Sequence, residues 1–526
     1  MASQQTQKLI QRYLFWYQSL QPQEGISTIH VDEVASRVAA FYEKIRGIID
    51  WREEHLLRKA AIERNLKRRL ILNKNGEDIA ASLVLELIRG GHFPNDKIAE
   101  SKIEEIKKLL DKYIFILENS PTPPREKLRI QLQDWLLGLA SCEIEETLEL
   151  RYRENAQMDY MAEEMKERIE VKGGLSEEEK NTQIYITIQK ALFKLDAPII
   201  SYNLLKRKYP QWKNLPPALL EEITKNIYST WEGIEKDLKH PLGKKFYLVC
   251  EQYDTPYLIL GDILSQDPIS NQEKIQNPET LESLIKGVYN VRLKQLKSRL
   301  KRAAIYSTIS IFITKMLLVF AIEVPFDKYI SGQFDLFTMG LNIAIPSLLM
   351  FFLVLTIKPP GKNNLHKVIL EVMKIVHEQK IKDKYIIKPT QKRGAILKGI
   401  ISFFYLATFV VSFGLIWFLL GKLGFGILSK IIFLVFVSLI SSAGVKIRER
   451  AKELQVETDK GNILTFFLDT FSLPFLHMGK WLSNELAKYN VIVVFFNSLI
   501  DLPFQVFVEF LEQWRYFIKE KREEIQ

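Results

Sequence analysis

The sequence predicts an all-α protein with a helical cytoplasmic N-terminal region and a polytopic α-helical membrane domain. Apolar residues recur at helical spacing through the first 290 residues, strand-like alternation is almost absent, and four apolar runs of spanning length follow. Charge divides the chain at the same place. The first 290 residues have a net charge of −4 and the remainder has +14, so the whole excess of +10 lies in the apolar half.

The N-terminal region is expected to form two helical subdomains, residues 1–120 and 125–276. Residues 121–124 (Pro-Thr-Pro-Pro) separate them, because proline cannot continue a helix. Ser176 and Glu179 have the spacing of a capping box, so a helix is expected to begin there. Helical patterns cover residues 34–70, 78–90, 99–117 and 125–171.

Charged clusters in this region are interpreted as solvated helix faces. A basic run ends the 34–70 pattern, where cations complement the helix dipole; a nucleic-acid site is the alternative. Acidic residues cluster without the paired histidines that a carboxylate-bridged metal centre requires. We therefore expect no nucleic-acid partner and no metal. The acidic clusters comprise Glu143, Glu145, Glu146 and Glu149, and then Glu163, Glu164 and Glu167.

A helical stalk, residues 277–302, is expected to continue straight into the first of four spans. The membrane domain covers residues 303–445 and includes a cytoplasmic loop, residues 358–396. A short Gly-containing hairpin at 421–424 joins the last two spans. The spans are expected at 303–322, 337–357, 399–420 and 425–445, each about the 20 residues that a bilayer core requires.

Lysine and arginine in the loops predict the orientation. Basic residues are dense before the first span, within 358–396 and after the fourth span, and sparse in the other two connections. The positive-inside rule then puts both termini and the 358–396 loop in the cytoplasm of a cell whose inner (plasma) membrane holds the chain. Only Cys142 and Cys250 are present, which fits a reducing compartment, and no signal peptide is recognised at the start.

A polar set within the spans is the candidate functional site. Lys315 lies inside the first span, where a central charge costs about 2.5–3.5 kcal/mol. Glu323 follows two helical turns later, and Asn342 and Pro346 of the second span are expected to line the same interior. The alternative is that the span begins later and the Lys315 side chain reaches back to the interface.

The tail, residues 461–526, is expected to be interfacial or re-entrant. A Phe-Phe pair followed by Leu-Pro-Phe occurs twice at an offset of 29 residues. Aromatic residues and a basic end favour an interface with anionic lipid; a fifth span and burial in a soluble core are the alternatives. The interface residues are Phe466, Phe467, Pro474, Trp481, Phe495, Phe496, Pro503 and Trp514.

No sequence motif for nucleotide binding, serine hydrolysis or zinc catalysis is found, so no catalytic residue and no cofactor is expected. The leading hypothesis is a non-enzymatic membrane anchor or scaffold whose helical region binds a protein partner. The alternative is a transporter or channel component with a polar pathway near Lys315. It would be oligomeric, because four spans enclose little space. An intramembrane or lipid-handling enzyme is the third hypothesis.

Overall fold

In a computed structural model the chain is nearly all helical, as predicted, and four of its helices are long and apolar enough to cross a membrane. The structure describes residues 2–20, 25, 27–32, 37, 38, 41, 54–72, 76–123, 125–331, 335–377, 384–389, 394–456, 463–489 and 502–525. Much of the first half of the 34–70 helix and part of the second Phe-Phe segment, including Phe495 and Phe496, lie outside these residues.

The N-terminal region is built from helices joined by short turns. Several begin with proline in the first turn, where its missing N–H leaves no helical bond unmade. The predicted capping box is confirmed: Ser176 Oγ accepts the Glu179 N–H at 3.1 Å. The elements are α1 (Gln4–Ser19), α2 (Glu54–Leu72), α3 (Gly76–Arg89), α4 (Ser101–Asn119), α5 (Glu126–Leu148), α6 (Tyr152–Arg168), β1 (Ile169–Val171), α7 (Glu177–Phe193), α8 (Ala197–Lys208), a 3₁₀ turn (Trp212–Asn214), α9 (Pro217–Lys225), α10 (Ile227–Leu238), α11 (Gly243–Gln252), α12 (Asp254–Gln266) and α13 (Pro268–Lys274).

Helices α5 and α6 carry the acidic clusters, and their assignment to solvated faces is wrong for three members. Glu143, Glu145 and Glu164 are 2%, 1% and 3% exposed. Lys112 Nζ donates to Glu143 Oε1 at 2.7 Å, and Trp212 Nε1 donates to the other oxygen at 2.9 Å. These partners lie on other elements, so the spacing of residues within α5 does not reveal them.

The longest helical element joins the two halves of the chain. Helix α14 (Pro278–Leu318) continues through a π-helical turn (Val319–Glu323), α15 (Val324–Phe326) and a second π-helical turn (Asp327–Ser331). Its first part is buried among the N-terminal helices through Leu281 and Ile285. The path is helical across residues 294–302, so no loop separates the N-terminal region from the first candidate span.

The second half of the chain contributes three further candidate spans, α16, α18 and α19. A tight turn joins α18 to α19, as predicted. Gly424 there has a φ of +81°, a left-handed conformation that glycine adopts without steric cost. The elements are α16 (Leu336–Leu355), α17 (Lys362–Val376), β2 (Tyr385–Ile387), α18 (Ala395–Lys422), α19 (Ile427–Ala451), α20 (Ile463–Tyr489) and α21 (Leu502–Ile525).

The connection between α16 and α18 folds onto the N-terminal region. Strand β2 pairs in parallel with β1, with Glu170 opposite Ile386. The buried face of α17, including Val368 and Val372, belongs to the same hydrophobic core as the N-terminal helices. The sequence does not predict these strands, because three residues are too few to leave an alternating pattern.

Candidate functional site

Two candidate spans bring together the three polar residues of the set singled out in the sequence. The Lys315 ammonium donates to Glu323 Oε1 at 2.7 Å, and Asn342 Nδ2 donates to Glu323 Oε2. Lys315 is fully buried, and Glu323 and Asn342 are each 2% exposed. Pro346 is buried about one helical turn beyond Asn342 on α16. The Glu323 carboxylate therefore links the α14 extension to α16, and we call these three hydrogen-bonded residues the intramembrane cluster.

The first π-helical turn helps to align Lys315 with Glu323. Eight residues of ideal α-helix exceed two full turns by about 80°, which would direct the two side chains to different faces. A π-helical turn closes hydrogen bonds between residues i and i+5, so it uses more residues per turn and reduces this angle. Residues Val319–Glu323 form such a turn. No pattern in the sequence predicts it, although π-helical turns are frequent at functional sites.

An aromatic ring and an unsatisfied oxygen border the intramembrane cluster. The ring of Phe436 on α19 has its centroid 5.3 Å from Lys315 Nζ, within range of a cation–π interaction. Asn342 Oδ1 is buried and has no hydrogen-bond partner in the part of the chain that the structure describes. An unmade buried hydrogen bond costs about 1–3 kcal/mol, so this oxygen is a ready acceptor for a further donor.

Part of the predicted membrane-interface tail is packed against the candidate spans. Pro474 is buried within α20, and the ring of Phe475 lies 4.4 Å, between centroids, from that of Phe413 on α18. Gly479 is so close to α19 that a side chain there would collide with the Ser438 carbonyl. This close approach requires glycine and fixes the position of α20 beside α19.

Trp481 on α20 and Trp514 on α21 are two further residues assigned to the interface. Trp481 and Trp514 are 60% and 50% exposed. Their contact with lipid remains a prediction. The side chains of Phe466, Phe467 and Pro503, and the whole of Phe495 and Phe496, lie outside the described residues.

A second candidate site is the face where the N-terminal region meets the connection between α16 and α18. Ser3 N–H donates to the Val376 carbonyl at 2.8 Å, and Tyr160 OH donates to the Ile375 carbonyl at 3.2 Å. Strands β1 and β2 pair on this same face. We call it the docking face. Most of these bonds use backbone groups, which any residue supplies, so sequence reasoning had no signal for them.

Asn364, which the sequence reasoning missed, joins three segments at the docking face. Its Nδ2 donates to Tyr289 OH at 3.0 Å and also to the Leu454 carbonyl, and its Oδ1 accepts the Val456 N–H at 2.9 Å. One buried amide therefore connects α14, α17 and the segment after α19. A single asparagine leaves no pattern from which this role could be read.

The buried carboxyl group of Asp254 lies on α12, which contacts the segment after α19. Burial raises the pKa of Asp254 to about 7; the Lys194 ammonium, 3.9 Å away, opposes the rise, whereas the negative charges of Glu251 and Glu453 add to it. The next residue, Thr255, donates to the Glu453 carbonyl at 3.1 Å. Asp254 therefore changes charge near neutral pH where α12 contacts the segment after α19.

Among the described residues, no three histidine, cysteine or acidic side chains are grouped so that they could hold a metal ion. In comparisons with known proteins, no family model matches this chain, and neither a curated protein nor a solved structure matches it.

Proposed function

We propose that this chain is a non-enzymatic multi-pass membrane protein that anchors a helical interaction domain at the cytoplasmic face of the inner (plasma) membrane. The domain binds a protein partner and is held in a fixed position relative to the four spans. The observation that carries the proposal is the shared core. The N-terminal helices, the first part of α14, α17 and the segment after α19 bury apolar side chains together.

The docking face supports the proposed orientation. Its contacts involve the 358–396 connection, the start of α14 and the segment after α19, which are the segments that the lysine and arginine pattern assigns to the cytoplasm. Charge distribution and packing are independent observations, and they agree. A domain attached through three segments of the membrane half is restrained far more than one on a single linker, which suits a scaffold.

A surface for the partner lies on α1 and α6. Phe15 is 56% exposed and lies edge-to-face with Tyr152, with ring centroids 5.3 Å apart. Lys8 and Arg12 line the groove beside these rings. Exposed aromatic rings beside arginine are typical of protein–protein contact sites. We place the partner at this aromatic groove.

Site-specific photocrosslinking in native membranes tests the proposal. A photoreactive phenylalanine analogue at Phe15 should give one discrete adduct. The same analogue at Leu248, which is 53% exposed on α11, serves as the matched control and should give none. No adduct at Phe15, or the same adducts at both positions, would contradict the assignment of the partner surface.

The transporter alternative makes a different prediction, and the intramembrane cluster is the observation that favours it. The purified chain in vesicles should carry no sustained proton or ion flux if it is a scaffold. A flux that disappears in Glu323→Gln and persists in Glu282→Gln, an exposed carboxyl on the same helix, would replace the scaffold with a pathway.

A further inference from the structure

The intramembrane cluster places a carboxylate where each of its two oxygens accepts a hydrogen bond. Glu323 accepts one hydrogen bond from Lys315 on its own helix and one from Asn342 on α16. A buried ion pair is often no more stable than apolar side chains of similar volume, so packing alone gives no reason for it. An ionisable group in a span is by default a candidate for function.

Glu323 lies directly after the first predicted span, residues 303–322. The charged residues Asp327 and Lys328 follow about one helical turn later. Asn342 lies six residues after the start of α16, about 9 Å along the helix. The cluster is therefore near the connection between the α14 extension and α16. This end of the two candidate spans is opposite the docking face.

The unsatisfied oxygen of Asn342 indicates a second hydrogen-bonded state. In the observed state the amide donates to the carboxylate, and Asn342 Oδ1 has no partner in the described part of the chain. If Glu323 gains a proton, its new O–H can donate to Asn342 Oδ1 once the amide rotates. The Lys315 ammonium then keeps two partners, the carbonyl oxygen of the protonated Glu323 carboxyl group and the ring of Phe436.

We propose that Glu323 is a proton-binding site, loaded from the water on the side opposite the helical domain, and that Asn342 distinguishes its two protonation states. The charged groups nearest to Glu323 on its own helix are Lys315, Asp327 and Lys328. Asn342 on α16 is neutral, and α19 contributes the ring of Phe436. Loading removes the negative charge from the ion pair and exchanges the donor and acceptor roles between the two helices.

A continuous helical path carries this change to the helical domain. The chain is helical from Glu323 back through α14 to Leu281 and Ile285, which are buried in the shared core. Near that end Tyr289 is bonded to Asn364 of the docking face. The inference rests on the proposed orientation and not on the partner, so the crosslink at Phe15 can fail while the proton site stands.

Infrared difference spectroscopy of the full-length chain in lipid vesicles tests the site directly. Acidifying only the outer medium of right-side-out vesicles should produce the carbonyl band of a buried, protonated carboxyl. Glu323→Gln should lose this band, and Glu282→Gln should keep it. Asn342→Leu should keep a titrating band but shift its frequency, because the carboxyl then lacks its amide acceptor.

A distance measurement tests the transmission. Spin labels at Lys297 on α14 and Lys362 on α17, both exposed, should report one distance distribution at neutral pH and a second after acidification. Glu323→Gln, the neutral mimic, should give the second distribution at both pH values, and Glu282→Gln should behave as the unmodified chain. No titrating band, a band that responds only to the inner medium, or sustained proton flux would overturn the proposal.

Discussion

Each half of the chain buries a lysine–glutamate pair, and the two pairs are completed differently. Lys112 and Glu143 in the N-terminal region are joined at 2.7 Å, as are Lys315 and Glu323. The Lys112 ammonium also donates to the Trp212 carbonyl at 2.9 Å, and Tyr113 OH donates to Glu143 at 2.8 Å. Burial lowers the pKa of Lys112, and the hydrogen-bonded Glu143 carboxylate opposes this shift.

The intramembrane pair has fewer partners in a more demanding environment. Within the described residues, Lys315 has a single hydrogen-bond acceptor, and the amide beside it has an unused oxygen. A network in which every group is satisfied has one favourable arrangement, whereas a partly satisfied network can have two. The comparison therefore distinguishes a pair that fixes structure from a pair that can change state.

The largest expected effect is in the structural pair. Glu143→Gln leaves the buried Lys112 ammonium without a charged partner, so the free energy of unfolding should fall by about 3–5 kcal/mol. Denaturant unfolding of the full chain in detergent measures this. Glu105→Gln breaks the exposed Lys102–Glu105 pair and should cost less than about 1 kcal/mol. Equal losses in the two variants would remove the distinction between buried and exposed pairs.

Asp254 should make stability depend on pH. Its pKa is about 7 in the folded chain and about 3.9 when unfolded, so the protonated carboxyl favours folding. This contribution is complete below about pH 4, is lost as pH rises toward about 7, and amounts to at most about 4 kcal/mol. Asp254→Asn should flatten the pH profile in that window. An unchanged slope would assign the titration to other groups.

The helix that joins the two regions can be weakened without touching either pair. Lys297→Gly with Ser298→Gly changes two exposed positions of α14 and should reduce stability by about 2 kcal/mol, since each glycine costs about 1 kcal/mol in a helix. The carbonyl band of Glu323 should persist, while the distance between labels at Lys294, on the domain side of the glycine pair, and Lys362 should stop responding to acid. The alanine pair at the same positions is the control, and an intact response in the glycine variant would argue against transmission through α14.

The smallest stability effect is expected for the pair that changes state. Lys315→Met, Glu323→Leu and Asn342→Leu combined replace the intramembrane cluster with apolar side chains, which is often neutral or stabilising. The unfolding midpoint should stay the same or rise, while every response to outer pH disappears. Lys112→Met with Glu143→Leu should instead destabilise, because Tyr113 OH loses its acceptor and the buried Trp212 carbonyl loses its lysine donor. Strong destabilisation by the triple change would make the cluster a structural pair too.

The sequence predicts those features that depend only on the order of residues along the chain. The length of an apolar run identifies a candidate span, so the sequence predicts four spans, and the structure has four helices long and apolar enough to cross a membrane. The position of Lys315 inside such a run singled it out, and helical spacing brought in Glu323. The hydrogen bond from Asn342 and the π-helical turn depend on how two helices meet, which the order of residues does not express.

Burial of charge was misjudged for the same reason. Glu143 lies among other acidic residues, and local composition favours a solvated face, but its partners are a lysine 31 residues and a tryptophan 69 residues away. Asn364 was missed because one amide that bridges three segments has no repeat and no periodicity. In each case a partner from a distant element decides the role of the residue.

The parallel pairing of β1 with β2 determines when the N-terminal region can complete its folding. Residues Ile169–Val171 leave the ribosome more than 200 residues before Tyr385–Ile387, and two candidate spans are made between them. The N-terminal helices therefore wait, with Tyr160 and Ile169 uncovered, until α17 and β2 emerge. During synthesis this incomplete core is exposed to misfolding and to chaperones. The core of the helical domain is therefore completed only after both of the first two candidate spans have been synthesised.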